Sequence, residues 1–278
     1  MSETPAPEKP KPESTEPIIR VEGAGIDFEG RTVLDEISME IFPGETAVIM
    51  GGSGCGKSTL LRIIVGAYTP TRGRVHLFGQ DITQLSEKEM DSLRLRFGIL
   101  FQSGALYNSM TVGENVALLM HEHTDLDDSI IDIMVKMKLE LVGLRDFGEL
   151  MPGQISGGMK KRVGLARAIA LDPEIIFYDE PTAGLDPIVA GVVDMLIMDL
   201  SKKLGVTSVV VTHDMNSAFK IADRMFMLYQ GRVVGQGTPE EIRNSEDPLV
   251  QQFITGAPDG PIPLRVSKTD FAEDLMGE

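Results

Sequence analysis

The chain has 278 residues, 42% hydrophobic and 24% charged, and a formal net charge of −16. That length holds one large domain or two small ones around a substantial core. The charge disfavours nucleic acid as the main partner, because phosphate contacts need a basic surface, and it equally disfavours simple adsorption to anionic lipid.

Residues 1–17, rich in Pro and Glu, read as a disordered tail without the apolar core of a signal peptide. Alternation starts at Ile18 and predicts a strand to about Phe28. A second strand pattern covers 38–41 and ends at the Pro43-Gly44 turn. Ala47-Val48-Ile49-Met50 is an apolar run stopped by glycines, the pattern of a buried parallel strand, and a helix is expected over 57–66. From about 90 to 165 strand patterns are scarce and apolar residues recur at helical spacing, as in 130–141, which predicts a helical insertion. Strand patterns return at 175–178 and 208–212. A hairpin is expected over 225–234, turning at Gln230-Gly231, followed by short helices over 238–243 and 248–254. Beyond Gly256 periodicity vanishes, and 256–278 reads as an extended arm. The alternation of helix and strand predicts an α/β fold with a largely parallel sheet. No stretch approaches the ~20 apolar residues of a membrane span, so a soluble cytosolic chain is expected, held at any membrane by another protein.

The chemistry concentrates at strand ends. Gly51-Gly52-Ser53-Gly54-Cys55-Gly56-Lys57-Ser58-Thr59 follows an apolar strand and opens a helix, matching the phosphate-loop pattern G-x-x-x-x-G-K-[ST]. Glycines let backbone N–H groups point at phosphate oxygens, and the helix N-terminus favours negative charge. Lys57 supplies a positive charge for the β- and γ-phosphates, and Ser58 a hydroxyl for Mg²⁺. Cys55, the single cysteine, reads as a small filler of this loop, with neither a disulfide nor a zinc cluster available to it. The apolar strand 175–178 runs into Asp179, placed to hold a magnesium shell, and Glu180, placed to polarise a water as general base. Ser156-Gly157-Gly158 opens another helix and is either a second anion-binding terminus or a plain cap. His213 follows the apolar strand 208–212 and projects from the same sheet edge. Lys160-Lys161-Arg162 reads as one charged helix face rather than a nucleic-acid contact.

These motifs stand in the order found in ABC-transporter ATPase subunits, which residues 18–255 resemble. They are the phosphate loop 51–59, the glutamine-loop residue Gln102 and the signature Ile155-Ser156-Gly157-Gly158-Met159. The acidic strand 175–180, Ala183-Gly184-Leu185-Asp186 as the D-loop and His213 as the switch complete the set. Met159 departs from the commoner Gln, while the serine and glycines are kept, so hydrolysis is expected to survive. The resemblance implies an ABC-type P-loop NTPase with a RecA-like core, an antiparallel β subdomain and a helical subdomain. It implies ATP and Mg²⁺ as cofactors, with Ser58, Gln102 and Asp179 around the metal. It also implies a homodimer in which each ATP lies between one phosphate loop and Ser156, Gly157 and Gly158 of the second copy. Phe28 either stacks on adenine or is a buried strand aromatic.

Ser156–Arg162, the stretch Met110-Thr111-Val112-Gly113-Glu114-Asn115-Val116-Ala117 and His121-Glu122-His123-Thr124 are similar to the Mla-type ATPases, the motors of MCE lipid transporters. Asp259-Gly260-Pro261-Ile262-Pro263 and the arm after it are similar to the same group. That resemblance implies phospholipid or another envelope lipid as cargo. It implies an integral permease, an MCE-domain protein and a STAS-domain subunit as partners, and a place on the cytoplasmic face of the inner membrane. The alternatives are the ATPase of a small-solute importer and a soluble ABC ATPase serving as an assembly scaffold.

Overall fold

The computed structural model describes residues 16–262. Most of the expected tail and the arm from residue 263 onward lie outside the described residues.

In chain order the strands β1 (Ile19–Phe28), β2 (Arg31–Ile41) and β3 (Thr46–Gly51) lead into helix α1 (Lys57–Ile64). Next come β4 (Arg72–Leu77), β5 (Gln80–Asp81), α2 (Glu87–Arg94) and β6 (Phe97–Leu100). Three helices follow: α3 (Val112–His123), α4 (Asp128–Leu141) and α5 (Gly157–Ala168). The chain then alternates through β7 (Ile175–Asp179), α6 (Pro187–Leu204), β8 (Thr207–Thr212) and α7 (Met215–Ile221). It closes with the hairpin β9 (Arg224–Tyr229) and β10 (Arg232–Gly237), then α8 (Pro239–Arg243) and α9 (Pro248–Thr255).

The strands form two sheets. One is antiparallel in the order β2-β1-β4-β5, and the other runs β10-β9-β3-β8-β7-β6. In the second, β6, β7, β8, β3 and β9 pair in parallel and β10 joins antiparallel at the edge. Every residue of β3 and β8 is buried, as apolar runs without polar alternation require when helices cover both faces. Successive residues point to opposite faces, so the runs feed two cores. Ile49, Phe177, Val209 and Val211 pack with Leu60, Ile63 and Ile64 of α1. Val48, Met50, Tyr178 and Val210 pack with the residues of α5 and α6. Among the described residues no helix is long and apolar enough to cross a membrane.

The span 90–165 is not helical throughout. Phe97–Leu100 is a strand paired in parallel with Ile175–Tyr178, and the insertion of packed helices begins only at Val112. Four residues are too few to display a period, and what makes them a strand is the β7 backbone beside them. Gly98 is needed there, because a Cβ would run into the Ala168 carbonyl at the end of α5. Strand β2 starts at Arg31 rather than 38, since its first residues are exposed and carry no buried alternation. Strands β4 and β5 escape detection for the same reason: half of β4 is exposed, including Arg72 and Arg74.

A capping box positions the helical insertion. The Thr111 hydroxyl accepts from the Glu114 N–H at 3.1 Å, and the Glu114 carboxylate accepts from the Thr111 N–H at 2.6 Å. One step further, the fully buried Asn115 accepts from the Tyr107 N–H at 2.8 Å and donates to the Thr111 carbonyl at 2.8 Å, pinning the loop before α3. Thr111→Ala is expected to cost about 1 kcal/mol, read as a lower urea midpoint at unchanged slope.

Candidate active site

Strand β3 ends where the chain must turn into α1, and the turn is built from glycine. Gly56 precedes the helix at φ 105°, a conformation that disfavours any side chain, and a Cβ there would press on Leu34. No side chain caps α1, which leaves its first N–H groups facing a cleft of about 660 Å³. Lys57 is 7% exposed and donates to the carbonyls of Gly51 at 2.8 Å and Gly52 at 3.0 Å. Its ammonium therefore lies over the loop rather than out in solvent.

The parallel sheet brings distant residues to this cleft. Gly51, Gly52, Ser53, Gly54, Gly56, Lys57, Ser58 and Thr59 line it, together with Gln102 after β6, Glu180 after β7 and His213 after β8. All three lie beyond the carboxyl ends of their strands, where ligands bind in open α/β sheets. His213 Nδ1 is 2.8 Å from Glu180 Oε2. Glu180 itself adopts φ 50°, unusual for a side-chain-bearing residue, with its N–H held by the Val211 carbonyl at 2.9 Å. Asp179 stands just behind, accepting from the Ser58 hydroxyl at 3.4 Å. Burial raises its carboxyl above the ordinary value, the Ser58 hydrogen bond opposing this and the Glu180 charge adding to it. Hydroxyl, carboxylate and amide oxygens are hard donors, so Ser58, Asp179 and Gln102 fit Mg²⁺, and a cation would relieve the pressed Asp179 carboxylate.

The sequence family described as ABC transporter matches residues 34–183. The chain belongs to the ABC transporter family. This ABC subunit hydrolyses ATP, and its cleft has the groups that a nucleoside triphosphate requires. The chain is 42% identical over 259 residues to the intermembrane phospholipid transport system ATP-binding protein MlaF of Haemophilus influenzae, covering 93% of this chain and 98% of that one. It is 41% identical over 252 residues to the probable ribonucleotide transport ATP-binding protein mkl of Mycobacterium leprae, covering 91% of this chain and 73% of that one. Among solved structures it resembles the dimeric post-hydrolysis state of the ATP-binding cassette MJ0796 bound to ADP and phosphate. There the identity is 31% and the TM-score 0.74, over 80% of this chain and 98% of that one.

Several expected residues stand outside the ABC subunit's cleft. Cys55 is buried, with burial pushing its thiol up and the Lys57 charge opposing, so it is an inert filler. Phe28 is neither buried nor in the cleft lining: it is 42% exposed and meets Tyr68 edge-on at 5.6 Å. The apolar residues that do line the cleft are Val33, Met215 and Phe253. No local signal marks Phe253, which arrives from α9, far along the chain.

Ser156 and Gly157 are exposed at the start of α5, and neither lines the cleft of the same protomer. The Ser156 hydroxyl accepts from the Met159 N–H at 3.2 Å, so it serves as an ordinary cap here. Gly158 is buried against Val189 of α6. Asp186 caps α6, accepting from the N–H groups of Ile188 at 3.0 Å and Val189 at 3.1 Å.

The charged triplet 160–162 is not one solvated face. Lys161 is 5% exposed and donates to the carbonyls of Glu180 and Ala183, while Arg162 donates to the Val142 carbonyl at 3.0 Å. Three consecutive helical residues span about 200° of the helix, so they cannot share a face.

Proposed function

We propose that the chain powers phospholipid transport through a membrane permease, as one of two copies that close head to tail on ATP. The observation that carries the pairing is the separation of Ser156 and Gly157 from the cleft of their own protomer. A helix N-terminus suited to phosphate but unused in cis finds its ligand on a second copy, and the similar MJ0796 cassette is dimeric with ADP and phosphate bound. The cargo reading rests on the MlaF relative, which the chain matches over 98% of that protein's length. The ribonucleotide-transport relative is matched over only 73% of its length and favours the small-solute alternative.

In this reading the loop N–H groups and Lys57 hold the β- and γ-phosphates. Ser58, Asp179 and Gln102 would hold Mg²⁺, which would supply positive charge against the phosphate oxygens. Glu180 accepts a proton from the attacking water through its carboxylate as the water oxygen bonds to the γ-phosphorus. The bond to the bridging oxygen breaks, and ADP and inorganic phosphate leave. His213, hydrogen-bonded to Glu180, fixes the orientation of that carboxylate. Ser156, Gly157 and Gly158 of the second copy complete the phosphate shell, with Asp186 at the contact between copies. The protein then sits at the cytoplasmic face of a membrane, held by its permease.

A mild-detergent pull-down from native membranes tests the cargo. Recovery of a permease with an MCE-domain protein, a STAS-domain subunit and phospholipid is expected. A different permease moves the cargo to a small solute, and purely soluble partners sink the transporter reading in favour of a scaffold.

The arm 256–278 is proposed to strengthen the pair. Its first residues are latched by Gln252, which accepts from the Ile262 N–H at 2.7 Å and donates to the Ile262 carbonyl at 3.1 Å. Ending the chain at 255 is expected to weaken ATP-dependent self-association about tenfold in sedimentation runs, or about 1.4 kcal/mol. Equal association of both chains would refute it.

A further inference from the structure

Lys161 lies on α5, five residues beyond Ser156, so its Cα is about 7.5 Å further along the helix axis. The side chain turns inward rather than to solvent. Nζ donates to the Glu180 carbonyl at 3.1 Å and the Ala183 carbonyl at 2.8 Å. Burial lowers the ammonium's pKa, while the Glu180 charge pulls the other way. A neutral residue of the same length would avoid that desolvation, so simple packing does not call for a lysine here.

What Lys161 grips is the turn that carries the catalytic edge. Ala183 N–H closes that turn onto the same Glu180 carbonyl at 3.2 Å. Glu180 sits at φ 50°, a conformation that is strained for a residue with a side chain and persists only where its surroundings hold it. Its N–H is held by β8 and its carbonyl by Lys161. Ala183 then leads through Gly184 and Leu185 to Asp186. One side chain thus ties the helix headed by Ser156 to the main chain of both Glu180 and the 183–186 segment.

We propose that Lys161 is a positioning residue: it couples the seating of α5 against the second copy's nucleotide to the placement of Glu180 in its own cleft. The inference rests on Glu180 acting as the base. Engagement of Ser156 by phosphate moves α5 as a rigid helix, and the buried ammonium carries that displacement to the turn. Each cleft then senses whether the opposite one is filled.

The test uses the full chain, with ATP and Mg²⁺ as ligands. Lys161→Met keeps the length and loses the donors, Lys161→Arg restores donors, and Glu180→Gln is run beside them. For Lys161→Met the expectation is a kcat about 30-fold lower with KM and equilibrium ATP binding within twofold, and a Hill coefficient falling towards 1. Lys161→Arg should recover at least a third of the wild-type kcat. A kcat within twofold of wild type in Lys161→Met, with Glu180→Gln inactive, overturns the coupling and leaves the base intact. Parallel losses of kcat, binding and thermal midpoint without rescue by arginine mark a merely structural lysine and also overturn it. Should Lys161→Met not fold, Lys161→Leu, a second donor-free variant, must show the same split. Near-normal turnover in Glu180→Gln removes the base reading, and the coupling with it.

Discussion

Glu180→Gln is expected to bind ATP as the wild type does, to remain associated as a pair, and to turn over about a thousandfold more slowly. The substitution keeps the size and the hydrogen-bonding reach towards His213 Nδ1, now 2.8 Å from Oε2. What it loses is the ability to accept a proton, and general-base catalysis contributes roughly 10²–10⁴ in rate. The phosphate loop is untouched, so the nucleotide still joins the copies and the closed pair outlives the wild-type one. Phosphate release measured alongside sedimentation with ATP separates the two effects. A rate within tenfold of wild type would remove Glu180 as the base.

Lys57→Ala acts on binding itself, and a drop of about a hundredfold in ATP affinity is expected. A charge-assisted hydrogen bond contributes about 1.5–3 kcal/mol, and Lys57 offers more than one donor to the phosphates. Its ammonium also braces the loop through the Gly51 and Gly52 carbonyls, so the alanine leaves both without that donor. Titration with a fluorescent ATP analogue reads the affinity directly. An affinity within threefold of wild type would mean that backbone N–H groups hold the phosphates unaided. The two variants fail differently, one after binding and one before it, which distinguishes the chemical step from the grip on substrate.

Much of the site was legible because its parts are local. The G-x-x-x-x-G-K-[ST] spacing specifies a turn into a helix within nine residues, and the run 175–180 places two carboxylates at a strand end by simple succession. The parallel strands β3 and β8 were legible too, since each holds an apolar run, 47–50 and 209–211. Short or exposed elements were not: β6 has four residues and β4 shows solvent half its length, so neither carries a period. Phe28 illustrates the remaining gap, as strand alternation does not tell whether an aromatic at a strand end turns to a ligand or to a neighbour such as Tyr68.

By itself, then, the sequence determined the chemical inventory and the main strands, because dihedral preference, apolar runs and short spacings act within a few residues of the chain. Only the tertiary structure decided which groups meet. The Ser58–Asp179 contact bridges 121 residues and the Glu180–His213 contact 33, each set by strand order and parallel register. Lys161 reads along the chain as one of three exposed cations, yet it is buried on two carbonyls of the turn after β7, 19 and 22 residues further along the chain. Which groups meet across the sheet, and whether a single charged side chain on a helix is covered, depend on neighbours far along the chain.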